Sequence, residues 1–182
     1  MALGEGVLTI EDFAAYVADN PDKRLELIDG RISEKVTSER HGKIAGWLIH
    51  LLIVFLQQNP TIKGHWSMEA SHAPPGDRYN QRRPDVSFRV TDEAASDASS
   101  LEGMPDFCVE IKSASNNYDE LREKAAFYLQ HGAHLVWLIY PEPKLVEVYD
   151  AAGSAVYKTG QTLSGGDVLP GFTVTVDEVF SV

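Results

Sequence analysis

Asp85, Glu110 and Lys112 are the residues of this chain whose types and spacing could do chemistry. They fall in two short apolar stretches, 84–90 and 107–112, of the kind that form strands. Side chains alternate faces along a strand, so Val86, Phe88 and Val90 point one way and Asp85, Ser87 and Arg89 the other. By the same rule Glu110 and Lys112 share a face with Asp106 and Cys108, opposite Phe107, Val109 and Ile111. If the two strands are neighbours with their apolar faces on one core, Asp85 approaches Glu110. The pair can then hold a hard divalent cation such as Mg2+, with the Ile111 carbonyl as a further oxygen ligand and Mn2+ as a substitute metal. Hydrolysis of a phosphodiester needs an activated water and relief of charge on the phosphorus, and the Lys112 ammonium is placed to help with either.

The elements that must position these residues are legible around them. Thr9 followed by Asp12, with Ile10, Phe13, Ala14 and Val17 at helical spacing, predicts a short first helix ending before Asn20-Pro21. The stretches 24–28 and 31–35 flank Asp29-Gly30, a type I′ turn pair, and predict a hairpin. Ile44, Trp47, Leu48, Leu51, Leu52 and Phe55 trace one stripe of a long helix over 38–58. A strand is predicted over 61–67, then a loop around 73–80, and after the 84–90 strand an acidic connection over 91–105 without periodic pattern. Beyond the 107–112 strand comes a helix over 118–131 closed by Gly132, in which Lys124 lies on the largely apolar face of Leu121, Ala125, Tyr128 and Leu129. An apolar hairpin over 135–140 and 145–149, short strands at 155–157 and 172–176, and a turn at 177–180 complete the chain.

The 182 residues, 43% hydrophobic and 24% charged, suit one globular α/β domain rather than two. No apolar run approaches the roughly 20 residues that cross a bilayer, and residues 1–9 carry no basic residue ahead of an apolar segment, so a cytoplasmic location is expected. The lone Cys108 agrees with a reducing compartment. A formal charge of −11 argues against a general nucleic-acid coat protein and weighs against phosphate binding unless carboxylates gather at a divalent cation and arginines cluster near the site. Arg82, Arg83, Arg89 and Arg122 are the candidates for that role. There is no Gly-rich phosphate loop, no Cys-x-x-Cys pair and no nucleophile elbow.

The wording of the two strands, Arg83-Pro84-Asp85-Val86 and Val109-Glu110-Ile111-Lys112-Ser113, resembles the PD-(D/E)XK nuclease superfamily and, more narrowly, its Uma-type restriction endonuclease family. The likeness extends to Glu26-Leu27-Ile28-Asp29-Gly30, His41, Lys124 with Tyr128 and Gly132, Trp137-Leu138-Ile139, and Gly166-Asp167-Val168-Leu169-Pro170-Gly171-Phe172, and so spans nearly the whole chain. The resemblance implies a restriction-endonuclease-like α/β fold with a central mixed sheet flanked by helices, occupying residues 1–182 as one domain. It also implies Mg2+-dependent cleavage of DNA, with Asp85 and Glu110 as ligands and Lys112 catalytic. Many such proteins lack a lysine at the position of Lys112 and use the helix lysine matching Lys124, whereas this chain has both. The sequence Ser113-Ala114-Ser115 departs from the proline usual there.

Plainer readings stand beside these. Asp85 could open a strand, and Glu110 with Lys112 could form an exposed cross-strand pair. Glu26 is either an exposed hairpin residue or a further acid near the metal. His41 reads first as a buried or capping histidine and second as a site residue. The apolar 135–149 hairpin and the two-fold symmetry of duplex DNA suggest a homodimer. The alternative to an endonuclease is a nuclease-derived binding module without catalysis, suggested by the acidity.

Overall fold

The structure is a computed structural model that describes residues 6–114 and 116–182. Residues 1–5, part of the stretch read for a leader, and Ser115 of the Ser-Ala-Ser departure lie outside it.

Helix α1 (Ile10–Ala18) starts on a capping box in which Thr9 and Asp12 bond reciprocally. Strands β1 (Leu25–Ile28) and β2 (Arg31–Glu34) form the hairpin, with Asp29 and Gly30 both at positive φ, 49° and 73°, as a type I′ turn requires. A separate four-residue connection leads to α2 (Glu39–Gln58), capped by Ser38. Then come β3 (His65–Met68), β4 (His72–Ala73), β5 (Val86–Arg89), β6 (Leu101–Glu102) and β7 (Phe107–Ile111). Helix α3 (Tyr118–Gln130) carries its own capping box, Asn117 with Glu120. It leads to β8 (Leu135–Tyr140), β9 (Leu145–Asp150), β10 (Gly153–Lys158), β11 (Thr162–Ser164), β12 (Thr173–Thr175) and α4 (Val176–Val179).

The central sheet has six strands in the order β10-β9-β8-β7-β5-β3. Only β7 and β8 run parallel, joined by the α3 crossover; the other neighbours are antiparallel, so the sheet is mixed. One face, carrying Val86, Phe88, Phe107, Val109, Ile111 and Trp137, packs on α2 and the C-terminal β11, β12 and α4. The opposite face, with Cys108, Val136, Leu138 and Tyr140, packs on Leu121, Ala125 and Tyr128 of α3. The apolarity of the β8–β9 hairpin is accounted for by this two-sided burial, and every residue of β8 is buried. Trp137 is a core residue, edge-on to Phe107 with ring centroids 5.0 Å apart.

Several short elements differ from expectation. The strand read from residue 61 begins at His65, behind a turn at Pro60-Thr61 and Gly64 at positive φ. The acidic connection contains β6, which pairs in parallel with β4. Strand β11 pairs with β12 antiparallel. These strands of two or three residues are shorter than any window in which alternation can be seen. Among the described residues no helix is long and apolar enough to cross a membrane.

Candidate active site

The site lies where β5 begins and β7 ends. The antiparallel register sets Val86 against Val109, so the residue before β5 stands beside the last turn of the β7 ladder. The backbone N–H of Asp85 donates to the Val109 carbonyl at 3.0 Å. In return its Oδ2 accepts from the N–H of Ile111 at 2.6 Å, which fixes the carboxylate against the end of β7. Glu110 projects from β7 to the α3 side, where Tyr128 donates its hydroxyl to Oε1 at 2.5 Å. Both carboxylates are almost wholly buried, at 1% and 2% exposure.

A third buried acid joins them. Glu26 of β1 faces inward rather than lying exposed on the hairpin; its Oε1 accepts from the Arg83 N–H at 2.8 Å, and its Oε2 accepts from Lys124 Nζ at 2.6 Å. Lys124 also reaches Glu110, 3.3 Å from Oε2 and 3.4 Å from Oε1. The second cation is Lys35, directly after β2, whose Nζ lies 2.7 Å from Asp85 Oδ1 and 3.3 Å from Glu110 Oε2 and donates to the Arg83 carbonyl at 2.7 Å. Lys35 thus bridges Asp85 to Glu110, and Lys124 bridges Glu110 to Glu26.

These contacts decide how the acids ionise. Burial pushes all three carboxyls up, since a low-dielectric surrounding disfavours charge. For Asp85 the Lys35 ammonium and the His41 ring more than offset it, and the net shift is downward. Glu26 is likewise held below its ordinary value, by Lys124 and Lys35 against burial. Glu110 moves up, because burial together with the negative charges of Asp85 and Glu26 outweighs the two lysines. Lys35 is raised despite its burial, by Glu110, Asp85 and Glu26 in that order.

The remaining expected residues fall into two groups. His41, at the start of α2, brings Nε2 to 3.2 Å from Asp85 Oδ1, yet the approach is off line and both ring nitrogens are buried without a hydrogen bond. Proximity is therefore real and bonding is not, which leaves the ring as a close polar neighbour of Asp85. Arg82 is buried, stacked 4.2 Å over the Phe127 ring, and lines the same cleft. Lys112, by contrast, leaves β7 in another direction: Nζ donates to the Ser113 carbonyl at 3.2 Å and lies 5.4 Å from the centre of the Tyr118 ring. It lines a smaller cavity with Pro141 and Pro143. Arg83 contributes its backbone to the site while its guanidinium turns to Ser71 Oγ. Arg89 donates to the Glu102 and Gly103 carbonyls, and Arg122 grips Glu147 through two bonds of 3.1 and 2.6 Å.

Lys35 is the site residue that the sequence reading did not reach, although a signal for it exists. The Asp29-Gly30 turn sets Glu26 opposite Ser33, and Lys35, two residues further on, shares that face. The Tyr128 hydroxyl was hidden by reading the whole residue as apolar.

A cleft of about 650 Å³ opens onto this cluster and is lined by Glu26, Lys35, His41, Arg82, Glu110 and Lys124 among others. Among the described residues no three His, Cys, Asp or Glu side chains converge as a ready-made metal cage, because the ammonium groups stand between the acids. The donors nevertheless suit a hard divalent cation: Asp85 and Glu110 already share one cationic group, and buried anionic oxygens are what such an ion selects.

A mixed sheet with α3 crossing between its parallel strands, and acids clustered at the β5–β7 end, defines an α/β fold of the restriction-endonuclease-like nuclease class. Residues 10–177 match the Uma2 family, described as "Putative restriction endonuclease", and the chain belongs to that family. The fold is shared with a crystal structure of "a putative nuclease belonging to DUF820" from Anabaena variabilis ATCC 29413. The two superpose with a TM-score of 0.75 at 21% identity, over 86% of this chain and 89% of the other. No curated protein matches the chain.

Proposed function

We infer that the protein is a divalent-metal-dependent endonuclease that hydrolyses phosphodiester bonds of DNA, using Asp85 and Glu110 as metal ligands and Lys124 as the working lysine. The observation that carries this reading is the shared cation between two buried strand-end carboxylates, with Nζ of Lys35 at 2.7 and 3.3 Å from them. Mg2+ or Mn2+ would be held by Asp85, Glu110 and the Ile111 carbonyl, and when bound would supply Lewis-acid activation of a water and of the phosphate. The chain's own residues perform the remaining tasks. The Ile111 N–H locks Asp85 in place, and the Tyr128 hydroxyl orients Glu110. Glu26 holds the Lys124 ammonium beside Glu110, where it can orient the attacking water or neutralise a phosphate oxygen. Arg82 is the arginine of the four that lines the cleft, and it fits a flanking phosphate.

Supercoiled plasmid with Mg2+ or Mn2+ tests this. Nicking that requires the metal, stops with chelator and is lost in Asp85→Ala and Glu110→Ala is expected; nicking that survives both substitutions overturns the assignment. A nuclease-derived binding module is the second reading, favoured by the formal charge of −11. Metal-independent capture of a partner, unaffected by Asp85→Ala and without any nicking, would select it.

A further inference from the structure

The most unusual feature of the cluster is what already occupies the place between the two strand-end acids. Asp85 does not line the large cleft, whereas Lys35 and Glu110 do. Both Asp85 oxygens are engaged: Oδ2 by the Ile111 N–H, and Oδ1 by the Lys35 ammonium, which also reaches Glu110. Asp85 opens instead on a cavity of about 250 Å³ with His41 and Glu69, so a cation that enters from the large cleft to bridge Asp85 and Glu110 meets Lys35 first.

Resting on the metal-site reading above, we propose that Lys35 and a divalent cation compete for one locus between Asp85 and Glu110. Lys35 acts as an intramolecular stand-in that sets the metal affinity of this chain and swings into the cleft when metal enters. Three observations support the exchange. The first is charge: three buried carboxylates face two ammonium groups, and replacing Lys35 by a dication brings the cluster to neutrality, while adding the dication beside Lys35 sets two cations against each other. The second is mobility without refolding. Lys35 belongs to the irregular connection between β2 and α2, and its backbone stays anchored by its N–H on the Arg24 carbonyl at 2.8 Å, so only the side chain has to move. The third is a destination, since the cleft that Lys35 lines is also lined by the acidic residues Glu34, Glu120 and Glu123.

The consequence is quantitative. A locus filled by Lys35 nine-tenths of the time weakens the apparent metal affinity about tenfold. Calorimetric titration of the full chain with Mn2+ reads this directly, comparing wild type with Lys35→Met and Lys35→Gln. Either variant is expected to bind at least about tenfold more tightly, and Asp85→Asn added to it should abolish the gain. Equal affinities in wild type and variants, with binding still dependent on Asp85, overturn the competition and leave the metal-site reading standing. Absence of Asp85-dependent Mn2+ binding in every form overturns both. Should the variants fail to fold, the wild-type protein suffices: mass-spectrometric mapping of amine acylation should show Lys35 labelled several-fold faster with saturating Mn2+ than without it. Unchanged or slower labelling of Lys35 while the metal binds overturns the proposal. Removal of the ammonium raises Mn2+ affinity in part through charge alone, so the labelling of Lys35, which a merely structural ion pair would leave unchanged on metal binding, is the readout specific to exchange.

Discussion

Two lysines come within reach of Glu110 in sequence terms, and the direction each side chain takes separates them. Lys112 lies two residues after Glu110, one position past the end of β7 at Ile111, and its side chain lines a different cavity from the cleft that Glu110 lines. Its ammonium rests on the Ser113 carbonyl and near the Tyr118 ring. Lys124 is held by two buried acids at the cleft. Lys124→Met is therefore expected to lower metal-dependent nicking by roughly 10²–10³-fold, and Lys112→Met to change it by less than about threefold, measured as initial rates on supercoiled plasmid. The reverse order would return the catalytic role to Lys112. Thermal unfolding in parallel separates chemistry from stability, because removing one partner of a buried ion pair costs about 3–5 kcal/mol. Glu26 was ambiguous in the sequence for the same kind of reason. Strand periodicity assigns a face, and which face is inside depends on packing against β5 and α3 that is remote in the chain.

At the scale of elements, what could be read was what repeats. The alternation in β5 and β7 placed Asp85 and Glu110 together, and the helical spacing in α3 turned Lys124 inward, because each pattern runs over several residues that one core must bury. The pairings of β4 with β6 and of β11 with β12 are set by tertiary contact and have too few residues to carry a period. The β1–β2 hairpin lies between these cases: its turn was legible, and it delivers Glu26 from one arm and Lys35 from just beyond the other. Gly30 is the hinge of that delivery, at φ +73°, where a Cβ would come within 3.0 Å of the Leu8 carbonyl and 2.1 Å of Val7 Cγ1. Gly30→Ala should cost roughly 1–2 kcal/mol and lower Tm by about 2–8 °C in a domain of this size, with a larger proportional loss of nicking as both charged groups shift. A thermal melt indistinguishable from wild type would remove the turn from this role. Ser38→Ala, which deletes the α2 cap accepting from the His41 N–H at 3.2 Å, should cost about 1 kcal/mol by the same measurement.

For the whole molecule the buried acids make stability depend on pH in two opposed limbs. Asp85 and Glu26 have folded-state values below their ordinary 3.8 and 4.5, so the unfolded chain takes up their protons first. The stability they contribute is complete above those ordinary values and is lost as pH falls through the lowered ones. Glu110 runs the other way. Its folded-state value is raised, so its contribution is complete below 4.5 and is lost as pH rises through the raised value. Lys35, also raised, contributes below its ordinary 10.5 and loses that only in strong alkali, outside the acid range. The expected profile rises on going from neutrality toward about pH 4.5 as the burial cost of the Glu110 charge is relieved, and falls steeply below about pH 4. Each proton by which the two states differ sets a slope of about 1.4 kcal/mol per pH unit. Relief of self-repulsion as the −11 charge is titrated toward the pI near 4.9 adds to the rise, and the positive charge that builds below it adds to the fall, so the contribution of the buried acids is read from the difference between wild type and the variants. Urea midpoints followed from pH 7 to 2.5 check both limbs: Asp85→Asn should flatten the one below pH 4, and Glu110→Gln the one above pH 4.5. An acid limb unchanged in Asp85→Asn would mean that the Lys35–Asp85 pair does not hold the ionised carboxylate in solution.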